Sequence, residues 1–265
     1  MKYQSRCIVV LSVPRSGSSC VAGLLHRLGV DMGTGHLQPP DALNPRGYYE
    51  DCRWKRINNA IVGRRYEVKE IARIGEPYTR QYQALIQQRS KLPVWGFKDP
   101  RACFILQHII PLLKVAHVET RIVAVERDRS AVLMSLIRHS RLAYRGRFEM
   151  SEDEARALLD EWQAAYERRL EETSAPIFYV NYDELLHEPT ARAGALTAFC
   201  FSGLDHVPSE EQITSALEWL APELNHYADN GDHTDAGRTE GTPDGTDGAR
   251  PGWHAKRKSK DCNCG

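Results

Sequence analysis

No apolar run in the 265 residues approaches the length of a membrane span, which argues against a helical integral membrane protein. Net charge is missing as well. Thirty-five Lys and Arg balance 35 Asp and Glu, so no global field draws the chain to nucleic acid or to an anionic membrane. The seven cysteines (7, 20, 52, 103, 200, 262 and 264) are scattered and odd in number. They form no Cys-x-x-Cys pair and no Cys/His metal spacing, which excludes a disulfide scaffold and a zinc-type centre. The apolar stretch 7–13 is short, and Pro14 and Arg15 end it where a signal peptide would need small residues. No Asn-x-Ser/Thr sequon occurs. These absences together predict a reducing, cytoplasmic setting with no bound metal.

What is present has ordinary globular proportions, 42% hydrophobic and 26% charged residues. Composition changes sharply near the C-terminus. Beyond Leu224 there is no Val, Ile, Leu, Met or Phe, so residues 225–265 cannot bury enough apolar surface to offset their ordering entropy. We read them as a disordered tail and residues 1–224 as a single domain. The tail is split in charge: residues 226–249 carry six acids against one Arg, and residues 250–265 carry five Lys or Arg against Asp261. Cys262 and Cys264 read as two exposed thiols, because two ligands do not make a metal site.

Within the body, strand-like and helix-like segments alternate. Residues 8–13, 94–97, 121–126 and 177–180 are short apolar runs of the kind buried parallel strands use. Between them Val21, Leu24, Leu25 and Leu28 recur at helical spacing, as do Phe104, Ile105, Ile109, Leu112 and Leu113. Further helices are expected over 131–137, 182–200 and 209–220. Ser151 and Glu154 have the spacing of a capping box that opens a long helix. Strand and helix in alternation predict an α/β fold, a three-layer parallel sheet flanked by helices with right-handed crossovers.

The junction after the first strand carries the chemistry. Pro14, Arg15, Ser16, Gly17, Ser18 and Ser19 lead straight into the first helix. A glycine among small hydroxyl residues lets consecutive backbone N–H groups converge on one anion, and the helix N-terminus adds partial positive charge. Ser18 and Ser19 supply hydroxyl donors, and Arg15 can reach a phosphate or sulfate oxygen. The pattern is not a Walker loop. Its first glycine and its Lys are missing, and the basic residue precedes Gly17.

A basic residue, one spacer, Gly and two hydroxyl residues resemble the 5′-phosphosulfate loop of sulfotransferases, which use 3′-phosphoadenosine 5′-phosphosulfate (PAPS). A second signature of that family, a strand-end Arg followed eight residues later by Ser, is matched by Arg127 and Ser135. The resemblance implies that this pair grips the donor's 3′-phosphate. A third segment, from Phe178 through Tyr182 to Pro189, is similar to the family's strand followed by Tyr, an acid, Leu and Pro. There Tyr182 would offer a face to the adenine or simply pack at a strand end. The resemblance spans residues 7–189 and implies a P-loop NTPase-like architecture, PAPS as co-substrate and no metal. In the family a C-terminal basic cluster also meets the 3′-phosphate; Lys256, Arg257 and Lys258 are a weak counterpart.

Lys98 ends the second strand, and with Asp99, Pro100 and Arg101 resembles the Lys-Asp-Pro element of some protein-tyrosine and carbohydrate sulfotransferases, where the Lys contacts the transferring group. Asp99 and Pro100 read as a helix-opening device, and Arg101 as serving either the site or that turn. The His of small-molecule sulfotransferases has no equivalent, since Pro100 stands in its place. Asn44, Pro45, Gly47, Tyr48 and Glu50 resemble a segment of bacterial sulfotransferase-like proteins. This points to Glu50 as base, with Asp51 and His36 as alternatives, on a loop suited to a substrate-facing lid.

Acceptor recognition is expected from residues 53–93 (Arg64, Arg65, Arg73, Tyr78, Arg80, Tyr82) and 138–149 (Arg138, His139, Arg141, Arg145, Arg147). Lipid, glycan, metabolite and protein Tyr all stay open as acceptors, and no dimer signature is visible. Two other readings stay open: a P-loop kinase of a small metabolite, which would need magnesium and a nucleoside triphosphate, and a non-catalytic nucleotide-binding module.

Overall fold

The computed structural model describes residues 3, 5–63, 71–143 and 149–220. The expected tail with its basic cluster and Cys262 and Cys264, and Arg64, Arg65, Arg145 and Arg147, lie outside them.

Four parallel strands form one sheet in the order β2-β1-β3-β4: β1 (Ser5–Leu11), β2 (Val94–Lys98), β3 (Val118–Glu126) and β4 (Ile177–Asn181). All seven residues of β1 are buried, as a central strand covered on both faces requires. The strand begins and ends earlier than its apolar run suggests, because polar residues are buried in pairs. The Arg6 guanidinium donates to Glu119 at 2.7 Å and to the Cys200 carbonyl at 2.8 Å, and the Ser5 hydroxyl donates to the Leu92 carbonyl.

Alternation along β1 divides the core. Cys7, Val9 and Leu11 face one layer of helices, and Ile8 and Val10 face the other. The first layer contains α2 (Cys52–Val62), α3 (Glu76–Arg89), α4 (Ala102–Val115), α5 (Arg129–Ala143) and α6 (Glu152–Glu172). Opposite it lie α1 (Ser18–Arg27), α7 (Tyr182–His187), α8 (Pro189–Phe201) and α9 (Glu210–Trp219). The expected three-layer α/β architecture is therefore present.

The expected capping box at Ser151 and Glu154 opens α6. Two helices, α2 and α3, were not legible in the sequence. The buried side of α3 is only Tyr82, Ile86 and Arg89, too few apolar residues for a clear helical period. Its Tyr82 hydroxyl donates to Asn58 of α2 at 2.6 Å, so a polar contact fixes its place.

The topology determines where a ligand can sit. From β1 the chain goes to β2 on one side and returns to β3 on the other. The carboxyl end of β1 is thus a switch point, where diverging connections leave a crevice.

Candidate active site

The loops leaving all four strands open on one cavity of about 300 Å³, within the usual range for ligand pockets. Its walls include Arg15, Gly17, Ser18 and Ser19 after β1, Lys98 and Arg101 after β2, Arg127 and Ser135 after β3, and Tyr182 after β4. Among the described residues, five Lys or Arg (Arg15, Arg46, Lys98, Arg101, Arg127) stand on the walls with one acid, Glu50. The site is built for anions.

At the end beside β1, Arg15 (φ 70°) and Gly17 (φ 88°) both adopt left-handed backbone, which folds the turn tightly against the first residues of α1. For a non-glycine residue such a conformation costs about 1–3 kcal/mol. The bond from Arg15 Nε to Ser135 Oγ, at 3.0 Å, helps to hold it. Gly17 is required for a second reason: a Cβ there would lie 2.2 Å from the Tyr182 ring. The Arg127 guanidinium lies 4.8 Å from the centroid of the same ring, and its Nε is 3.9 Å from Asp183. The loop after β1, the Arg–Ser pair and Tyr182 therefore meet. Ser16 is the exception. It is fully buried, its hydroxyl donates to the Val13 carbonyl at 2.9 Å, and it braces the turn rather than lining the cavity.

Buried charge dominates the other end. Lys98 Nζ donates to Glu50 Oε1 at 2.8 Å, and Lys55 Nζ lies 3.4 Å from Glu50 Oε2. Burial pushes the Glu50 carboxyl up, but Lys98, Lys55 and Arg101 outweigh it and hold the group at about 2. The same burial pulls the Lys98 ammonium below the usual lysine range, partly offset by Glu50 and Asp99.

Of the three candidate bases only Glu50 lines the cavity. Asp51 instead caps α2, accepting from the Arg53 amide at 2.9 Å and from its side chain at 2.7 Å, and His36 is outside the walls. Asp99 does not cap α4, whose N-cap position is Arg101. Its carboxylate accepts from the Arg101 amide at 3.0 Å, from the Arg101 side chain at 2.6 Å and from Asn58 at 2.8 Å, so it organises the turn ahead of the helix.

The segments expected to recognise the acceptor do not line this cavity: no described residue of 53–93 or 138–149 is on its walls. In their place stand Leu43 to Tyr48, Trp162 of α6 and Trp219 of α9. Trp162 reads as core in the sequence because it lies on the apolar stripe of α6, and nothing there betrays its second exposure to the cavity. Trp219 docks where Gly23 leaves room, since a Cβ on Gly23 would meet its ring at 2.6 Å. Arg27 and Arg46 lie 3.9 and 4.9 Å from its ring centroid. Arg46 could have been singled out, for it stands inside the segment that marked Glu50.

The chain matches the model of the Sulfotransferase family over residues 7–206, and it belongs to that family. No curated protein sequence matches it significantly. Among solved structures it is similar to mouse sulfotransferase SULT7A1 complexed with PAP, at 11% identity, covering 86% of this chain and 70% of that one, TM-score 0.43. Sulfotransferase STF1 of Mycobacterium tuberculosis is 17% identical, with 81% and 71% covered and a TM-score of 0.44. The sulfotransferase domain of the curacin biosynthetic pathway is 16% identical, with 81% and 78% covered and a TM-score of 0.47.

Proposed function

We propose that this sulfotransferase moves a sulfuryl group from PAPS to a hydroxyl acceptor by in-line displacement, leaving 3′,5′-adenosine bisphosphate. The observation that carries the reading is the 3.0 Å bond from Arg15 to Ser135, which joins the loop after β1 to the Arg127–Ser135 segment on one cavity. A nucleotide with phosphate groups at both 5′ and 3′ positions needs two anion sites at a fixed separation, and these segments supply two. The backbone N–H groups of 16–19 with Arg15, Ser18 and Ser19 would hold the phosphosulfate. Arg127 and Ser135 would hold the 3′-phosphate, with Tyr182 beside the adenine.

When bound, the donor supplies an activated sulfur whose leaving group is a phosphate. The residues of the chain do the rest. Lys98, held by Glu50, would be drawn toward negative charge growing on the bridging oxygen. As an arriving sulfonate competes for Lys98, Glu50 loses one of the cations that hold its proton affinity down and becomes a better base. Glu50 then takes the acceptor's proton. Nothing in this scheme calls on a metal.

Titration calorimetry with 3′,5′-adenosine bisphosphate, beside magnesium-ATP, tests the reading. Tight metal-independent binding of the bisphosphate and little response to ATP is expected. A preference for magnesium-ATP would replace this reading with a kinase.

A further inference from the structure

The basic residues on the cavity walls differ in how their charge is used. Lys98 is paired with Glu50 at 2.8 Å and Arg101 with Asp99 at 2.6 Å. Arg127 lies 3.9 Å from Asp183. Arg46 stands apart from these three. Its Nη1 donates to the Trp219 carbonyl at 2.9 Å, its Cζ lies 4.9 Å from the Trp219 ring centroid, and among the described residues no carboxylate pairs with it. The residue is exposed, so water competes for that bond. An anionic oxygen is a stronger acceptor for a guanidinium than a neutral carbonyl, and a phosphate matches its planar fork.

The surroundings of Arg46 are those of the proposed nucleotide site. Trp219, its partner, is fixed to α1: Trp219 Nε1 donates to the Cys20 carbonyl at 3.0 Å, and Gly23 leaves room for the ring. Burial pushes the Cys20 thiol up to about 12 and raises the Tyr182 hydroxyl as well, and Arg46 is among the charges that draw both back. Cys20 follows Ser19 in the first turn of α1, and the Tyr182 ring packs on Gly17 with Arg127 4.8 Å from its centroid. Arg46 is thus within electrostatic reach of both segments that the donor reading assigns to phosphate. Its loop is held together internally. The Asp41 carboxylate accepts from the amides of Leu43 at 2.9 Å and Asn44 at 3.0 Å and from the Tyr48 hydroxyl at 2.8 Å, and the Gln38 amide donates to the Glu50 carbonyl at 2.8 Å. Arg46 can therefore change partner without undoing the loop.

We infer that Arg46 is a third cationic ligand for the donor nucleotide, beside Arg15 and Arg127, and exchanges the Trp219 carbonyl for a phosphate oxygen when the nucleotide binds. This assignment rests on the donor reading above. Charge calls for it: phosphate groups at both 3′ and 5′ positions carry about three to four negative charges near neutral pH, more than Arg15 and Arg127 can balance. Lys98 and Arg101 have carboxylate partners already. Arg46 and Glu50 share one loop, so an occupied nucleotide site also tethers the segment that carries the base.

The test is calorimetric titration of the full chain and its variants with 3′,5′-adenosine bisphosphate. Arg46→Gln should weaken binding about tenfold, the worth of one charged hydrogen bond at an exposed site. Arg46→Lys, which keeps the charge and loses the fork, should fall between that variant and the wild type. Arg27→Gln separates a ligand from a mere support of Trp219. Arg27 also lies over the Trp219 ring, 3.9 Å from its centroid, and donates to the Tyr49 hydroxyl at 2.8 Å, but it is not on the cavity walls. Its loss should change the affinity by about twofold at most, as a screened charge does. A second readout needs no substitution. Trypsin must take the Arg46 side chain into its own pocket to cut before Gly47. Bisphosphate at about ten times its Kd should slow that cut about tenfold relative to the cut after Lys91, which is exposed and off the cavity. Wild-type affinity in Arg46→Gln overturns the inference alone, as do equal losses in Arg46→Gln and Arg27→Gln, or no slowing at Arg46 relative to Lys91. Absence of bisphosphate binding by the wild type overturns the donor reading and the inference with it.

Discussion

The two ends of the cavity are built from different materials. At the proposed donor end backbone does much of the work: a turn with two left-handed residues, the start of α1 and a glycine packed against an aromatic ring. The proposed acceptor end is a cluster of buried charges, Lys98, Glu50, Asp99 and Arg101, brought by two separate stretches of chain and steadied by Lys55 and Asn58 of α2. Backbone dipoles hold any tetrahedral anion of the right size and shift little when side chains change. Ion pairs answer to every neighbouring charge, so the acceptor end can be retuned by single substitutions. The first design suits a common donor and the second suits divergent acceptors.

The largest expected effect strikes the backbone end. Gly17→Ala would need both an unfavourable φ and a Cβ inside the Tyr182 ring. It should abolish bisphosphate binding in calorimetry, by about 100-fold or more, since one donor in such a cradle is worth that much. Retention of binding would show that the cradle is less rigid than its geometry implies.

Next, Glu50→Gln should lower turnover by about 10²–10⁴-fold, the usual worth of a positioned base, with bisphosphate affinity nearly unchanged. Wild-type turnover in this variant would remove Glu50 from the mechanism. Lys98→Met leaves Glu50 as a buried charge without its closest partner. It should cost about 3–5 kcal/mol in denaturant unfolding, as should Glu50→Gln, which leaves the buried Lys98 ammonium without its carboxylate.

The same pair makes a pH prediction. Glu50 lies below its ordinary carboxyl value of 4.5, at about 2, so the folded state binds its proton more weakly than the unfolded chain. Its contribution to stability is complete above about 4.5 and is lost as pH falls toward 2. Comparison of wild type with Glu50→Gln by denaturant titration between neutral pH and pH 3 should show the wild type losing the larger share. A smaller effect is expected from Ser16→Ala, which deletes one bond to Val13: about 1 kcal/mol of stability and little change in bisphosphate affinity. A large loss of affinity there would mean that the Ser16 hydroxyl itself meets the donor.

How much of this was legible in the chain follows the same division. The loop 14–19 could be picked out because it joins a strand to a helix, whereas Arg127, Ser135, Tyr182 and Lys98 stood out through their resemblance to sulfotransferase segments, Ser135 lying inside α5. Trp162 could not, since its place on an apolar helical stripe is identical in sequence whether the far side of the ring meets core or cavity. The described residues of the segments expected to recognise the acceptor lie off this cavity for a related reason. Basic and aromatic residues in 53–93 looked like recognition elements, yet Tyr82 is consumed in a bond to Asn58 and Arg80 pairs with Glu76 at 3.7 Å on the surface.

Local patterning along the chain sets the alternation of strands and helices, and with it the three-layer sheet. The same holds for the turn between β1 and α1, because short-range patterns dictate local backbone and local backbone dictates where N–H groups point. Long-range packing, by contrast, buries Glu50 against Lys98, turns Ser16 inward, and sets Trp162 and Trp219 on the cavity walls. Those outcomes depend on which distant side chains share a small volume, and burial and pairing set their energies only after the layers have packed.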